Sequence, residues 1–136
     1  MDLTSNVKGQ LAVSKAEIRA FELGFMPSRP LYDGRYDLVV DNHERLIRAQ
    51  VKYGNGKSSN SQGAVVVKLD YETRTKNHFE YKASEVDALI VYLPILDKLC
   101  YFPLEIFEGK RKLTIRLEKP KINQLKRIIF AKDYIW

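Results

Sequence analysis

The stretch Arg35-Tyr36-Asp37-Leu38-Val39-Val40-Asp41-Asn42-His43-Glu44-Arg45-Leu46-Ile47-Arg48-Ala49-Gln50-Val51-Lys52-Tyr53 decides the fold. From Leu46 to Tyr53 apolar and polar residues alternate. Ile47, Ala49 and Val51 fall on one side, and Arg48, Gln50 and Lys52 on the other. A period of two is that of a half-buried strand. Asp37 opens an earlier apolar run, Leu38-Val39-Val40, and the intervening Asp41-Asn42-His43-Glu44 is rich in turn formers. Two strands, near 36–41 and 46–53, are therefore expected to fold as a hairpin that brings Asp37 back toward Gln50 and Lys52. An acid, an amide oxygen and an ammonium then meet at a strand end. That set suits metal-assisted hydrolysis of a phosphodiester.

Upstream, Lys8 to Leu23 reads as an amphipathic helix with Leu11, Ala12, Ile18, Phe21 and Leu23 on its apolar side. Gly24 stands at its C-terminal stop, and Phe25 begins an extended piece punctuated by Pro27 and Pro30. Downstream, residues 54–63 contain no apolar side chain and are expected to form an exposed loop. Strands are expected at Ala64–Tyr71, Leu89–Leu93 and Leu113–Leu117. Leu99–Phe102 should pair with Leu89–Leu93 across a turn at Pro94–Lys98. Ser84, with Asp87 three residues on, reads as the start of a short helix. The tail from Ile128 to Trp136 is apolar and aromatic enough either to close a core or to form an interface.

Composition bounds the rest. A chain of 136 residues, 45% hydrophobic, fits one globular domain spanning 1–136. The longest apolar run, Ala88–Leu96, is about half of the ~20 residues that span a bilayer. The first residues, Met1 to Asn6, show no signal-peptide pattern. No membrane association and a cytoplasmic location are the corresponding expectations. Cys100 is the single cysteine, so it forms no intrachain disulfide; set between Leu99 and Tyr101, it reads as a small buried hydrophobe. The net charge of +6 hints at a polyanionic partner, with basic residues crowding the last quarter. His43 sits in a turn and reads as plain surface.

The order helix, Asp, hairpin, (E/Q)-x-K, strand, helix, strand resembles the PD-(D/E)XK nuclease superfamily, and within it the group I intron-encoded homing endonuclease branch. The residues that carry the likeness run along most of the chain. They are Lys8-Gly9, Gly24-Phe25, Arg35-Tyr36-Asp37, Gln50-Val51-Lys52, Glu85-Val86-Asp87 and Asp133-Tyr134. The resemblance implies an α/β, restriction-endonuclease-like core, a mixed central sheet flanked by helices. It implies Asp37 and Gln50 as side-chain ligands of Mg²⁺ (or Mn²⁺), with the Val51 carbonyl completing the set. Such hard cations take oxygen ligands and retain waters. Lys52 would position or deprotonate the attacking water and offset charge on the phosphate. Gln50 stands where the superfamily usually has an acid, a variant the homing branch accepts. The glutamate common on the first helix is replaced by Val13, and Glu17, one turn on, is its possible substitute.

The implied activity is sequence-specific cleavage of double-stranded DNA by an intron homing endonuclease, impaired if Val13 occupies the acid position. Two alternatives stand beside it: a Holliday-junction or repair nuclease of the same fold, and a non-catalytic DNA-binding module on a nuclease scaffold. A two-stranded ribbon around the polar loop would fit the major groove, where Asn and Gln read adenine. Tyr53, Asn55, Lys57, Asn60 and Gln62 are the candidate DNA contacts there. Arg29, Arg74, Lys76 and His78 are candidates for the backbone or bases nearby. Cutting both strands needs two sites, so a homo-oligomer, dimer or tetramer, is expected.

Overall fold

The computed structural model describes residues 2–32, 34–56, 63–69, 71–72, 78–79, 82–118 and 128–136. The first element, α1, spans Ser5–Glu22 and so begins almost a turn before the Lys8 expected. Thr4 sets that start: its backbone is extended and its Oγ1 accepts the Val7 amide at 3.3 Å, the action of an N-cap residue. At the other end Gly24 adopts φ +79°. There the Phe25 amide donates to the Ala20 carbonyl (2.8 Å) and the Gly24 amide to that of Phe21 (2.9 Å). These are the paired bonds of a Schellman end.

The buried stripe of α1 is Ala12, Val13, Ala16 and Ala20. Ile18 and Phe21, read from the sequence as part of the apolar side, are exposed. Small residues let the helix axis lie close to the sheet, and the bulkier side chains turn outward.

The strands follow as β1 (Met26–Ser28), β2 (Leu38–Asp41), β3 (Leu46–Tyr53), β4 (Ala64–Lys68), β5 (Tyr71–Glu72), β6 (His78–Phe79), β7 (Ala88–Leu93) and β8 (Lys98–Pro103). One turn of helix, α2 (Leu104–Phe107), precedes β9 (Lys112–Arg116) and β10 (Ile129–Phe130). The main sheet has the order β1-β2-β3-β7-β8. Only β3 and β7 run parallel within it, which makes the sheet mixed. The expected hairpin is β2–β3, with Leu38 opposite Ala49 and Val40 opposite Ile47. That register brings Asp37, just ahead of β2, beside Gln50 and Val51.

The two faces of this sheet are covered differently. Leu38, Val40, Ile47, Ala49, Val51 and Ile90 pack with the stripe of α1. On the opposite face Leu89, Val91, Leu93 and Phe102 pack against Val65, Val67, Leu113 and Ile115. Those four belong to a second sheet of order β10-β9-β4. Each fully buried aliphatic side chain of this kind contributes roughly 1.5–3 kcal/mol over its exposed state. Lying between both clusters, β7 is buried at all six positions, as expected of a continuous apolar run.

The short helix expected at Ser84 is absent. Residues 83–85 form a turn, and β7 begins at Ala88. Asp87, read as the second half of a capping pair, instead accepts from the Arg48 amide (2.9 Å), its Nε (3.0 Å) and its Nη2 (3.1 Å). Arg48 also donates to the Ser84 and Ala83 carbonyls. A local cap has lost to a long-range clamp that pins the turn to β3.

That clamp predicts a pH-dependent stability. The hydrogen bond from Arg48 holds the Asp87 carboxyl below its ordinary 3.8. A depressed acid stabilises the fold fully above its unfolded value and loses that contribution as pH falls through the folded one. Asp87→Ala should therefore cost about 2 kcal/mol in urea unfolding at pH 7, and the gap to the parent should narrow below pH 3.8. A gap that stayed constant with pH would separate the effect from the carboxylate.

The aromatic tail closes the structure along β8. The Trp136 amide donates to the Leu99 carbonyl (2.9 Å), and the Tyr101 amide to that of Tyr134 (2.8 Å). Tyr134 stacks on Phe102 with ring centroids 4.8 Å apart. Cys100 is fully buried beneath it, and burial pushes its thiol up to about 11. No helix among the described residues is long and apolar enough to cross a membrane.

Candidate active site

The alternation of β3 and the turn before β2 place the motif residues at one end of the sheet, under the first turns of α1. Asp37 donates its amide to the Ala49 carbonyl (2.9 Å), extending the hairpin by one bond. Its Oδ2 accepts the Val51 amide at 2.9 Å, which fixes the plane of the carboxylate. Gln50 follows on the opposite face of β3 from Ala49 and Val51, and Lys52 lies two residues on, half-buried.

Asp37, Gln50, Val51, Lys52 and Tyr53 line one cavity of about 350 Å³, whose other wall is α1 at Ser5, Asn6, Gly9, Gln10 and Val13. A second cavity of about 300 Å³ adjoins it, sharing Gln10, Val13 and Asp37 and continuing past Arg29, Pro30 and Tyr32. Together they make a groove with Asp37 and Val13 at its middle.

Gln50 carries the sharpest chemical signal. It is only 8% exposed, and its Oε1 is buried with no hydrogen-bond partner among the described residues. Leaving such an oxygen unpaired costs about 1–3 kcal/mol. A hard cation beside Asp37 would satisfy it, since a carboxylate, an amide oxygen and a backbone carbonyl are the oxygen donors such ions take. The other such atom among the described residues, Glu85 Oε2, lies outside the groove, on a carboxylate 4.0 Å from Arg35.

The site is poor in acids. Among the described residues no three His, Cys, Asp or Glu side chains gather to hold a metal. Val13 is 7% exposed and lines both cavities, so the helix does face Asp37 at that position, but with two methyl groups. Glu17 lines neither cavity. Its carboxylate is held by Arg29, with Oε1 at 2.6 Å from Nη2 and Oε2 at 3.1 Å from Nε.

Arg29 also donates to Gln10 Oε1 (2.7 Å) and Ser14 Oγ (3.2 Å). It therefore pins the segment after β1 to α1 while remaining on the wall of the second cavity. Gln10, which sequence reading passed over, is the polar α1 side chain common to both cavities. Only the tertiary placement of Arg29 and Asp37 marks it, because glutamine on a helix has no signal of its own.

The nucleic-acid candidates are placed in part. Tyr53 is half-buried, edge-on to Tyr92 at 5.8 Å, with Lys8 Nζ 5.9 Å from its ring centre. Gly54 is wedged against β7: a Cβ there would meet Val91 Cγ1 at 2.7 Å. Asn55, next along, is exposed. Lys57, Asn60, Gln62, Arg74 and Lys76 lie outside the described residues. His78 is described only in backbone, where it opens β6 opposite Glu72. His43 is exposed, as expected, and its Nε2 donates to the Gly24 carbonyl at 2.7 Å.

A third cavity, about 360 Å³, lies between α1 and the tail and holds none of the motif residues. On its walls Lys15 pairs with Asp97 at 3.2 Å, and Arg19 donates to the Trp136 carbonyl at 2.8 Å.

The fold has counterparts. The chain is similar in structure to the bacterial homing endonuclease I-Ssp6803I, with a TM-score of 0.79 and 22% identity over 98% of this chain and 89% of that one. It is also similar to Archaeoglobus fulgidus Hjc, a Holliday junction resolvase from an archaeal hyperthermophile, with a TM-score of 0.51 and 15% identity over 80% and 84%. At these identities the likeness concerns the fold. No curated protein matches the chain in sequence. The family model described as PD-(D/E)XK endonuclease matches residues 3–136. With Asp37 and Gln50-Val51-Lys52 converging under α1 on the restriction-endonuclease-like fold, the chain belongs to the PD-(D/E)XK endonuclease family.

Proposed function

We infer that the protein is a divalent-metal-dependent, sequence-specific endonuclease of double-stranded DNA, a homing endonuclease acting as a symmetric dimer or tetramer in the cytoplasm. One observation carries this reading: Gln50, whose buried Oε1 has no partner among the described residues, lines one groove with Asp37 and Lys52. Mg²⁺ or Mn²⁺ bound there supplies positive charge to the phosphate and a more acidic water. Asp37, Gln50 and the Val51 carbonyl would hold it. Lys52 orients the attacking water, takes or shares its proton, and offsets the charge that grows on the phosphoryl oxygens. Tyr53 and Asn55, where β3 leaves the sheet, start the surface that meets the bases. One unit of 136 residues runs as a single nuclease domain, and two such sites related by symmetry would cut the two strands.

The test has two arms. Purified protein with Mg²⁺ or Mn²⁺ should cut linear duplex at one site and stop when the metal is chelated. A preference for four-way junctions regardless of sequence would instead make it a resolvase. Gln50→Leu supplies the second arm. Removing an unpaired buried amide should stabilise the metal-free fold by about 1–3 kcal/mol, while weakening metal binding measured by calorimetry. A destabilised variant with unchanged metal affinity would refute a ligand role. Val13 favours a second reading, a DNA-binding module that has lost turnover, because it leaves Asp37 as the only acid lining the groove among the described residues.

A further inference from the structure

Between β1 and β2 the chain leaves the sheet and returns to it: Ser28 is paired with Val39, and the Asp37 amide is bonded to Ala49. The arm in between therefore stands at the sheet end that carries Asp37. Its base is fixed. Arg29 makes four hydrogen bonds to Gln10, Ser14 and Glu17 of α1, and the half-buried Pro30 that follows has a locked φ.

Beyond that base two side chains turn outward. Leu31 is 88% exposed and Tyr32 81%, the two most exposed large hydrophobic residues among those described. One exposed leucine would be ordinary. Here two bulky side chains stand together on a pinned arm, and Tyr32 lines the same cavity as Asp37. That cavity adjoins the one holding Gln50 and Lys52. A DNA strand with a phosphate at Asp37, continuing along this groove, passes Tyr32. What the arm offers there suits bases rather than phosphates: an aromatic ring stacks on any base, and an apolar side chain can part a base step. A second copy of the chain fits less well. A stable dimer buries about 800 Å² on each side, over roughly 20–30 residues, and two side chains at the tip of an arm do not supply that.

We propose that Leu31 and Tyr32 form a wedge for duplex DNA beside the scissile phosphate, Tyr32 stacking on a base and Leu31 parting the neighbouring step. This rests on the nuclease reading and adds to it an uncharged contact with the base stack. A wedge needs a rigid support, which makes Arg29, bonded to α1, its positioning residue. The opened step lets the strand bend into the groove.

Because both side chains are exposed, truncating them tests the wedge without disturbing the fold. Leu31→Ala, Tyr32→Ala and the double variant should keep the thermal midpoint within about 3 °C of the parent. Gel shift in Ca²⁺ then compares a linear duplex with the same duplex carrying one mismatched pair, whose base is cheaper to unstack. The parent should bind the mismatched duplex about tenfold more tightly. Tyr32→Ala should bind the perfect duplex about tenfold more weakly, the scale of one base–aromatic stack, and the double variant should lose the mismatch preference. The slope of log K against log salt should match the parent's, since no phosphate contact is removed. Tyr32→Phe, which keeps the ring, should behave as the parent does. Unchanged affinity in the double variant would overturn the wedge and leave the nuclease reading intact. So would a Tyr32→Phe as weak as Tyr32→Ala with a shallower salt slope, which would make the hydroxyl a phosphate contact. A smaller assembly for the double variant in sedimentation would also overturn it, making the arm an interface between copies. Parent protein that binds no duplex would sink the nuclease reading, and the wedge with it.

Discussion

Lys52→Ala should lower the single-turnover cleavage rate by at least ~10³-fold, the combined scale of general acid–base and electrostatic assistance, while duplex affinity changes less than tenfold. The asymmetry follows from where the ammonium sits. Lys52 shares one face of β3 with Gln50 and lines the groove beside Asp37. It is well placed to act on the reacting phosphate and water and poorly placed to hold the rest of the duplex. Its removal leaves the hairpin register intact, because β2 and β3 are joined by backbone bonds and by packing on the α1 face. Asp37→Asn is the companion variant. An amide oxygen there can still accept the Val51 amide, so the local geometry survives, but the groove loses the acid at the head of the motif. Metal affinity and turnover should fall together. Metal-independent cleavage that survived both substitutions would remove Asp37 and Lys52 from the chemistry.

How far the sequence disclosed this site depends on the range of the interactions involved. The β2–β3 hairpin was legible because a period of two and a polar turn are local facts, and Asp37 and Gln50-Val51-Lys52 inherit their proximity from it. The strands at Leu89–Leu93 and Leu99–Phe102 were legible for the same reason. The misread helix at Ser84 has a non-local cause, since Arg48, far along the chain, captures the Asp87 side chain that a cap would have used. Ile18 and Phe21 were misassigned because helical periodicity allows two apolar sides. Only the distance between α1 and the sheet selects the alanine stripe. The parallel pairing of β10 with β9 and the antiparallel pairing of β9 with β4 join segments far apart in the chain, and no local pattern announces either. Gln10 was invisible as a site residue for a related reason. Only Arg29, which donates to it, and Asp37, which shares its cavity, identify it.

Val13→Glu should raise both metal affinity and cleavage, by about tenfold to a hundredfold, the scale of one added charged ligand worth ~1.4–2.7 kcal/mol. Val13 is the point at which α1 faces Asp37 across the groove, so a carboxylate there enters the site that Gln50 and Asp37 already frame. The same change carries a cost in the metal-free protein. A charge would replace an apolar side chain only 7% exposed, and burying an unpaired carboxylate is unfavourable. The expected signature is a lower thermal midpoint without metal, recovered on adding Mg²⁺ or Mn²⁺. Saturation at 100 times the dissociation constant returns about 2.7 kcal/mol. Glu17 would not supply this, because Arg29 holds its carboxylate with two hydrogen bonds. Releasing it by Arg29→Ala separates the possibilities. A gain from Val13→Glu alone assigns the missing acid to the Val13 position. A gain from Arg29→Ala alone assigns it to Glu17. With neither gain nor metal-dependent recovery, the groove binds DNA without cutting it, and Gln50 keeps its oxygen for something other than a catalytic ion.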